Sequence, residues 1–92
     1  MTKEEFNLYC AEVMGCYPEH DGWRISSGGI TYHSDRLPDY FNDSNQRHEV
    51  FDKLWKQEIR DIDDCHEFGY DAWNDGIDQA EIKFIWSTKE DK

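Results

Sequence analysis

The sequence predicts an α+β domain in which two helices pack on a four-stranded antiparallel sheet, in the order helix, hairpin, helix, hairpin. Two segments carry apolar residues at helical spacing, and two others alternate apolar and polar residues around turn signals. Length sets the scale: 92 residues make a single domain, residues 1–92, with one core. Apolar residues are only 37% of the chain, but aromatics reach 15% and each buries a large area, which argues against disorder.

The first helix is expected over Thr2 to Met14. Thr2 with Glu5 three residues on forms a capping box, and Glu4 and Glu5 suit the positive end of a helix. Phe6, Cys10, Val13 and Met14 make one apolar stripe with Tyr9 beside it. Gly15 stands at the C-terminal cap, and Pro18 bars continuation. Trp23 and Ile25, then Ile30 and Tyr32, alternate with polar residues on either side of Ser26-Ser27-Gly28-Gly29, a hairpin pattern. No Gly-Lys-Ser/Thr follows those glycines, so they mark a turn and not a phosphate loop.

Leu37 to Tyr40 connects to a second helix that starts near Asn42 or Asp43, with Asp43 and Gln46 as its capping pair. Val50, Phe51, Leu54, Trp55, Ile59 and Ile62 form its apolar face, and Trp55 belongs to the core. Outside, Glu49 with Lys53 and Asp52 with Lys56 place acid before base four residues apart, each pair worth about 0.2–0.5 kcal/mol. Lys53, Lys56 and Arg60 share an arc there. With acids threaded through it, this is a salt-bridged helix surface.

From Cys65 the period shortens. Phe68, Tyr70 and Ala72 alternate with Glu67, Gly69 and Asp71, Asn74-Asp75-Gly76 reads as a turn, and Ile82, Phe84 and Trp86 alternate again. These are the strands of the expected second hairpin. The acids at 61, 64, 67, 71, 75 and 78 are also spaced as on a helix, but Gly69 and Gly76 weigh against one continuous helix. Ser87 to Lys92 is polar and is expected to fray.

Charge is the most informative total. Ten Lys and Arg against 21 Asp and Glu give −11, and residues 58–81 alone carry −8, with Arg60 their one base. Such a field repels free nucleic acid and anionic membranes and is drawn to basic surfaces. The plain alternative is a solvated face that keeps a small protein in solution. No apolar run approaches the length of a bilayer span, and Lys3, Glu4 and Glu5 open the chain without an export pattern. Three cysteines, Cys10, Cys16 and Cys65, cannot all pair, so free thiols in a cytoplasm are expected. A zinc site could draw on Cys10, Cys16, His20, Cys65 and His66, but the spacings are not those of zinc knuckles or fingers, so no metal or cofactor is expected. His20, His33, His48 and His66 are scattered, and Asp61, Asp63 and Asp64 lack an EF-hand pattern. The expectation is a protein that is not an enzyme.

One stretch resembles a known family. Pro38, Asp39, Tyr40, Asn42, Asp43, Asn45, His48 and Glu49, within LPDYFNDSNQRHEVFDKLW, are similar to a segment of small phage and prophage proteins grouped as a phage α/β/α-sandwich domain. Met14-Gly15-Cys16-Tyr17 resembles the end of their first helix, so the likeness spans roughly residues 1–57. It implies a phage accessory protein without established catalytic residues. Read from the residues alone, Pro38 to Glu49 is a rigid turn, an N-cap and a first helical turn, with His48 at the surface.

Size, acidity and phage likeness together resemble the inhibitors that phages direct against host defence, anti-CRISPR proteins among them. The implied partner is a host protein or ribonucleoprotein with a basic surface, a CRISPR–Cas effector complex in particular, whose guide and target lie in positively charged channels. The chain would act as a monomer in the host cytoplasm, without binding free DNA or a membrane. The expected docking residues are Asp61, Asp64, Glu67, Asp71, Asp75 and Asp78, with Tyr70 and Trp73 as apolar anchors. On strands, alternate carboxylates repeat at about 6–7 Å, close to the phosphate spacing of nucleic acid. Lys53, Lys56 and Arg60 form the second candidate docking face of such an inhibitor, and the other expectation is a phage accessory module acting through ordinary protein contacts.

Overall fold

A computed structural model describes residues 1–58 and 62–90 and, within them, the side chains of all but residues 58 and 62–64. Its element order is α1 (Lys3–Met14), β1 (Tyr17–Glu19), β2 (Gly22–Ser27), β3 (Ile30–Ser34), α2 (Ser44–Glu58), α3 (Ile62–Asp75) and α4 (Ile77–Glu90). The α+β class holds, with three antiparallel strands and four helices among the described residues. The chain forms two compact units, Met1–Val50 and Phe51–Lys92.

In the first unit the local signals act where they are written. Thr2 Oγ1 accepts the Glu5 N–H at 3.1 Å, and Gly15 closes α1 through its N–H to the Glu12 carbonyl. Phe6, Tyr9, Cys10 and Ala11 are buried, while Val13 and Met14 are half-buried, so the stripe turns toward Ala11. The strands form a meander, β1-β2-β3, with Ile25 opposite Tyr32 and Ser27 opposite Ile30. Gly28 and Gly29 both have positive φ (58° and 82°), which a two-residue type I′ hairpin loop requires and a side chain resists. β1 has no alternation to reveal it. It is a three-residue edge strand with Pro18 at its centre, where a missing N–H costs nothing.

α1 lies against β2 and buries Ile25 completely. Cross-strand partners share a face, so Tyr17, Glu19, Arg24 and His33 lie together on the opposite one. The connector is tied down by Asp39, whose carboxylate accepts from Lys3 Nζ at 2.9 Å and Asn42 Nδ2 at 2.9 Å. Tyr40 is buried with its hydroxyl 3.7 Å from Cys16 Sγ. Phe41 meets Phe6 edge-on at 5.7 Å. Arg47, 2% exposed, donates Nη1 to the Phe41 carbonyl at 2.8 Å. Asp43 Oδ1 accepts the N–H groups of Asn45 and Gln46, the expected N-cap of α2. Ser27 donates to Glu49 at 3.0 Å.

The second unit departs from expectation. Residues 65–86 are not a hairpin: α3 and α4 stand where its two strands were expected, and among the described residues the three strands are those of the first hairpin together with β1, which was not expected. The helical spacing of the acids outweighs the two-residue alternation. Gly76, with φ 90°, takes the left-handed conformation that ends one helix and begins the next. Its N–H reaches the Ala72 carbonyl, and its own carbonyl accepts from Ala80. Gly69 sits inside α3 with open space around the place of a side chain. On α4 the buried residues include Ile82, Ile85 and Thr88, three apart, where alternation would have buried Phe84 and Trp86 with Ile82. Of the polar tail, Ser87 to Glu90 continue α4, with Thr88 donating to the Ile85 carbonyl at 2.7 Å, and residues 91–92 lie outside the described residues. Phe51, Trp55, Phe68 and Phe84 form one aromatic cluster, with Trp55 within 5.2–5.3 Å of the other three rings. Leu54 is buried as expected, whereas Ile59 lies outside the described residues, as does the side chain of Ile62.

Candidate docking surface

Glu67, Tyr70, Asp71, Trp73 and Asp75 stand on α3, and Asp78 on the first turn of α4. Asp61, Arg60 and the side chain of Asp64 lie outside the described residues. At about 100° per residue, Glu67 and Trp73 fall about 60° to either side of Tyr70, so the three share one face. That face is open: Trp73 is 89% and Tyr70 70% exposed, and Glu67 is exposed beside them. Ile77, 61% exposed, follows immediately after the Gly76 turn. The sequence reading passed over Ile77; an apolar residue next to Asn-Asp-Gly was its one visible signal.

Asp71 does not belong to this surface. It is 8% exposed and accepts from Lys83 Nζ of α4 at 3.0 Å. Glu67, Asp71 and Asp75 follow one another at four-residue intervals, a stripe running from the open face toward α4. The hydrogen bond and charge of Asp71, helped by Glu67 and Asp75, push the Lys83 pKa up. The described acids therefore stand on two helices, α3 and α4, with Asp71 turned inward, and among them the expected repeat of alternate strand carboxylates is absent. Asp75 and Asp78 flank the turn and are exposed.

Elsewhere the polar side chains pair with one another. Glu19 accepts from Arg24 Nε at 2.8 Å and lies 2.7 Å from His33 Nδ1; those two bonds hold its carboxyl below its ordinary pKa. A shallow concavity beside them is lined by Glu19, His20, Asp21 and His33. Among the described residues no three metal-ligating side chains converge on one point, and no buried side-chain polar atom lacks a partner. Cys10 and Cys16 belong to the first unit and Cys65 to the second, and all three are free. Burial pushes the Cys10 thiol up to about 12, against the opposing charge of Arg47. On α2, Lys56 bonds Asp52 at 2.9 Å as expected, Lys53 is exposed, and His48 is exposed. Among the described residues no helix is long and apolar enough to cross a membrane. No family model matches the chain, and neither a curated protein nor a solved structure matches it.

Proposed function

We propose that the chain is a non-catalytic, phage-encoded binding protein that docks through α3 and the start of α4 on a basic surface built for nucleic acid, the channel of a CRISPR effector complex. One observation carries the reading. The most acidic third of the chain, −8 over residues 58–81, exposes a tryptophan and a tyrosine on a single helix face. Large aromatics left in water among carboxylates suit an interface with an apolar centre and a charged rim. The charge would set the speed and salt sensitivity of association, and the rings would hold the complex. Size and the Pro38–Glu49 likeness to small phage proteins add support.

The test is inhibition of target-DNA binding by purified DNA-targeting effector complexes, at low and at physiological salt. Glu67→Lys with Asp75→Lys, checked for folding by circular dichroism, should lose inhibition at both salts, as should Trp73→Ala. Asp71 is left untouched because reversing it would break its bond to Lys83. Full inhibition by both variants would remove this face from consideration. The second reading, an accessory module whose acidity serves solubility and helix pairing, is favoured by the inward turn of Asp71. It expects no effector complex to be inhibited by the parent protein.

A further inference from the structure

We propose, resting on the docking reading above, that the Tyr70–Trp73 face recognises arginine side chains of its protein partner, guanidinium groups stacking on the two rings while Glu67, beside Tyr70, holds one of them. The tryptophans of this chain are used differently. Trp86 already carries the Lys89 ammonium 4.4 Å from its ring centre, and Trp55 is packed by Phe51, Phe68 and Phe84. Trp73, the most exposed of the large apolar residues, has no cation over it among the described residues. α3 itself supplies no lysine or arginine, and Lys83 of α4 is engaged by Asp71.

Charge complementarity selects the occupant. Glu67, exposed, lies one turn before Tyr70 on the same face, whereas Asp75, two residues after Trp73, falls about 160° around the helix from it and adds only to the general acidity. Tyr70 and Trp73, three apart on a helix, are about 5–6 Å from each other at Cβ, close enough to serve neighbouring side chains of one partner segment. A phosphate backbone would be repelled by this surface, whereas a cation gains from both the ring quadrupole and the carboxylates. Arginine suits it better than lysine. A planar guanidinium can stack on a ring while donating in its own plane to a carboxylate, and it gives up water more readily than an ammonium.

The experiment uses the full chain with oligo-arginine and oligo-lysine peptides of equal length, by fluorescence polarisation at physiological salt. The arginine peptide should bind tighter by about fivefold or more. Trp73→Ala with Tyr70→Ala should erase that preference, Trp73→Phe should keep part of it, and Glu67→Gln should weaken both peptides. Equal binding of the two peptides, or a preference that survives loss of both rings, overturns the inference. Melting curves of the variants check folding, which these exposed positions should leave intact. Inhibition of an effector complex without arginine preference would overturn this inference and leave the docking reading standing. Arginine preference without inhibition of any effector complex would support this inference and count against that reading.

Discussion

Asp39 ties the connector to the start of α1, through Lys3 and Asn7, and to the turn beyond it, through Asn42. Burial alone would raise its pKa, but the bonds from Lys3, Asn42 and Asn7 outweigh it and bring the carboxyl from 3.8 to about 2. A folded-state pKa below the ordinary value means stability that is full above about 4 and is lost as pH falls toward about 2. Asp39→Asn should therefore flatten the acid limb of the stability curve in that window. An NMR titration of the Asp39 carboxyl with a midpoint at its ordinary value would contradict the bond network. The thiols give a second residue-scale outcome: with Cys10 buried and Cys65 exposed, alkylation of the native protein should modify Cys65 and spare Cys10. Unfolding without reductant should expose three thiols, and mass spectrometry reads both states. Asp43 was legible as a cap because its partners are two and three residues away. Asp39 was not, because Lys3 and Asn7 are more than thirty residues distant.

The helical pair offers a direct contrast between its two glycines. Gly69 is helical with open space beside it, so Gly69→Ala should stabilise the protein by about 0.5–1 kcal/mol. Gly76 has φ 90°, so Gly76→Ala should destabilise it by about 1 kcal/mol or more. Chemical denaturation reads both, and equal effects of the two substitutions would contradict the helix–turn–helix. Trp55, half-buried among three rings, should cost about 3 kcal/mol on truncation to alanine. A Trp55→Ala melt unchanged from the parent would place the core elsewhere. The ambiguity over residues 65–86 was physical. A segment with Phe68, Tyr70 and Ala72 on one parity satisfies a strand, and acids three and four apart satisfy a helix. Gly76, with its positive φ, reads as a turn in either structure; the four-residue hydrogen bonds from its N–H to the Ala72 carbonyl and from the Ala80 N–H to its own carbonyl separate the two.

Across the whole chain, the −11 charge is concentrated in residues 58–81, so self-repulsion is strongest within the helical pair. Raising salt from about 0.01 M to about 0.15 M shortens the Debye length from about 30 Å to about 8 Å and should raise the melting temperature. A falling melting temperature over that range would mean that attractive pairs such as Lys83–Asp71 and Lys56–Asp52 outweigh the repulsion. The sequence by itself determined the class, α1 with both its caps, the β2–β3 hairpin, the N-cap of α2 and the acidic, aromatic character of the C-terminal third. Each of these rests on residues within a few positions of one another, or on totals that folding cannot change. Only the tertiary structure decided that the C-terminal third is helical, that Asp71 turns in to Lys83, and that Trp73 stays in water while Trp55 is packed among rings. Which apolar and charged side chains leave water depends on partners from other elements, and a one-dimensional pattern carries both outcomes until that burial separates them.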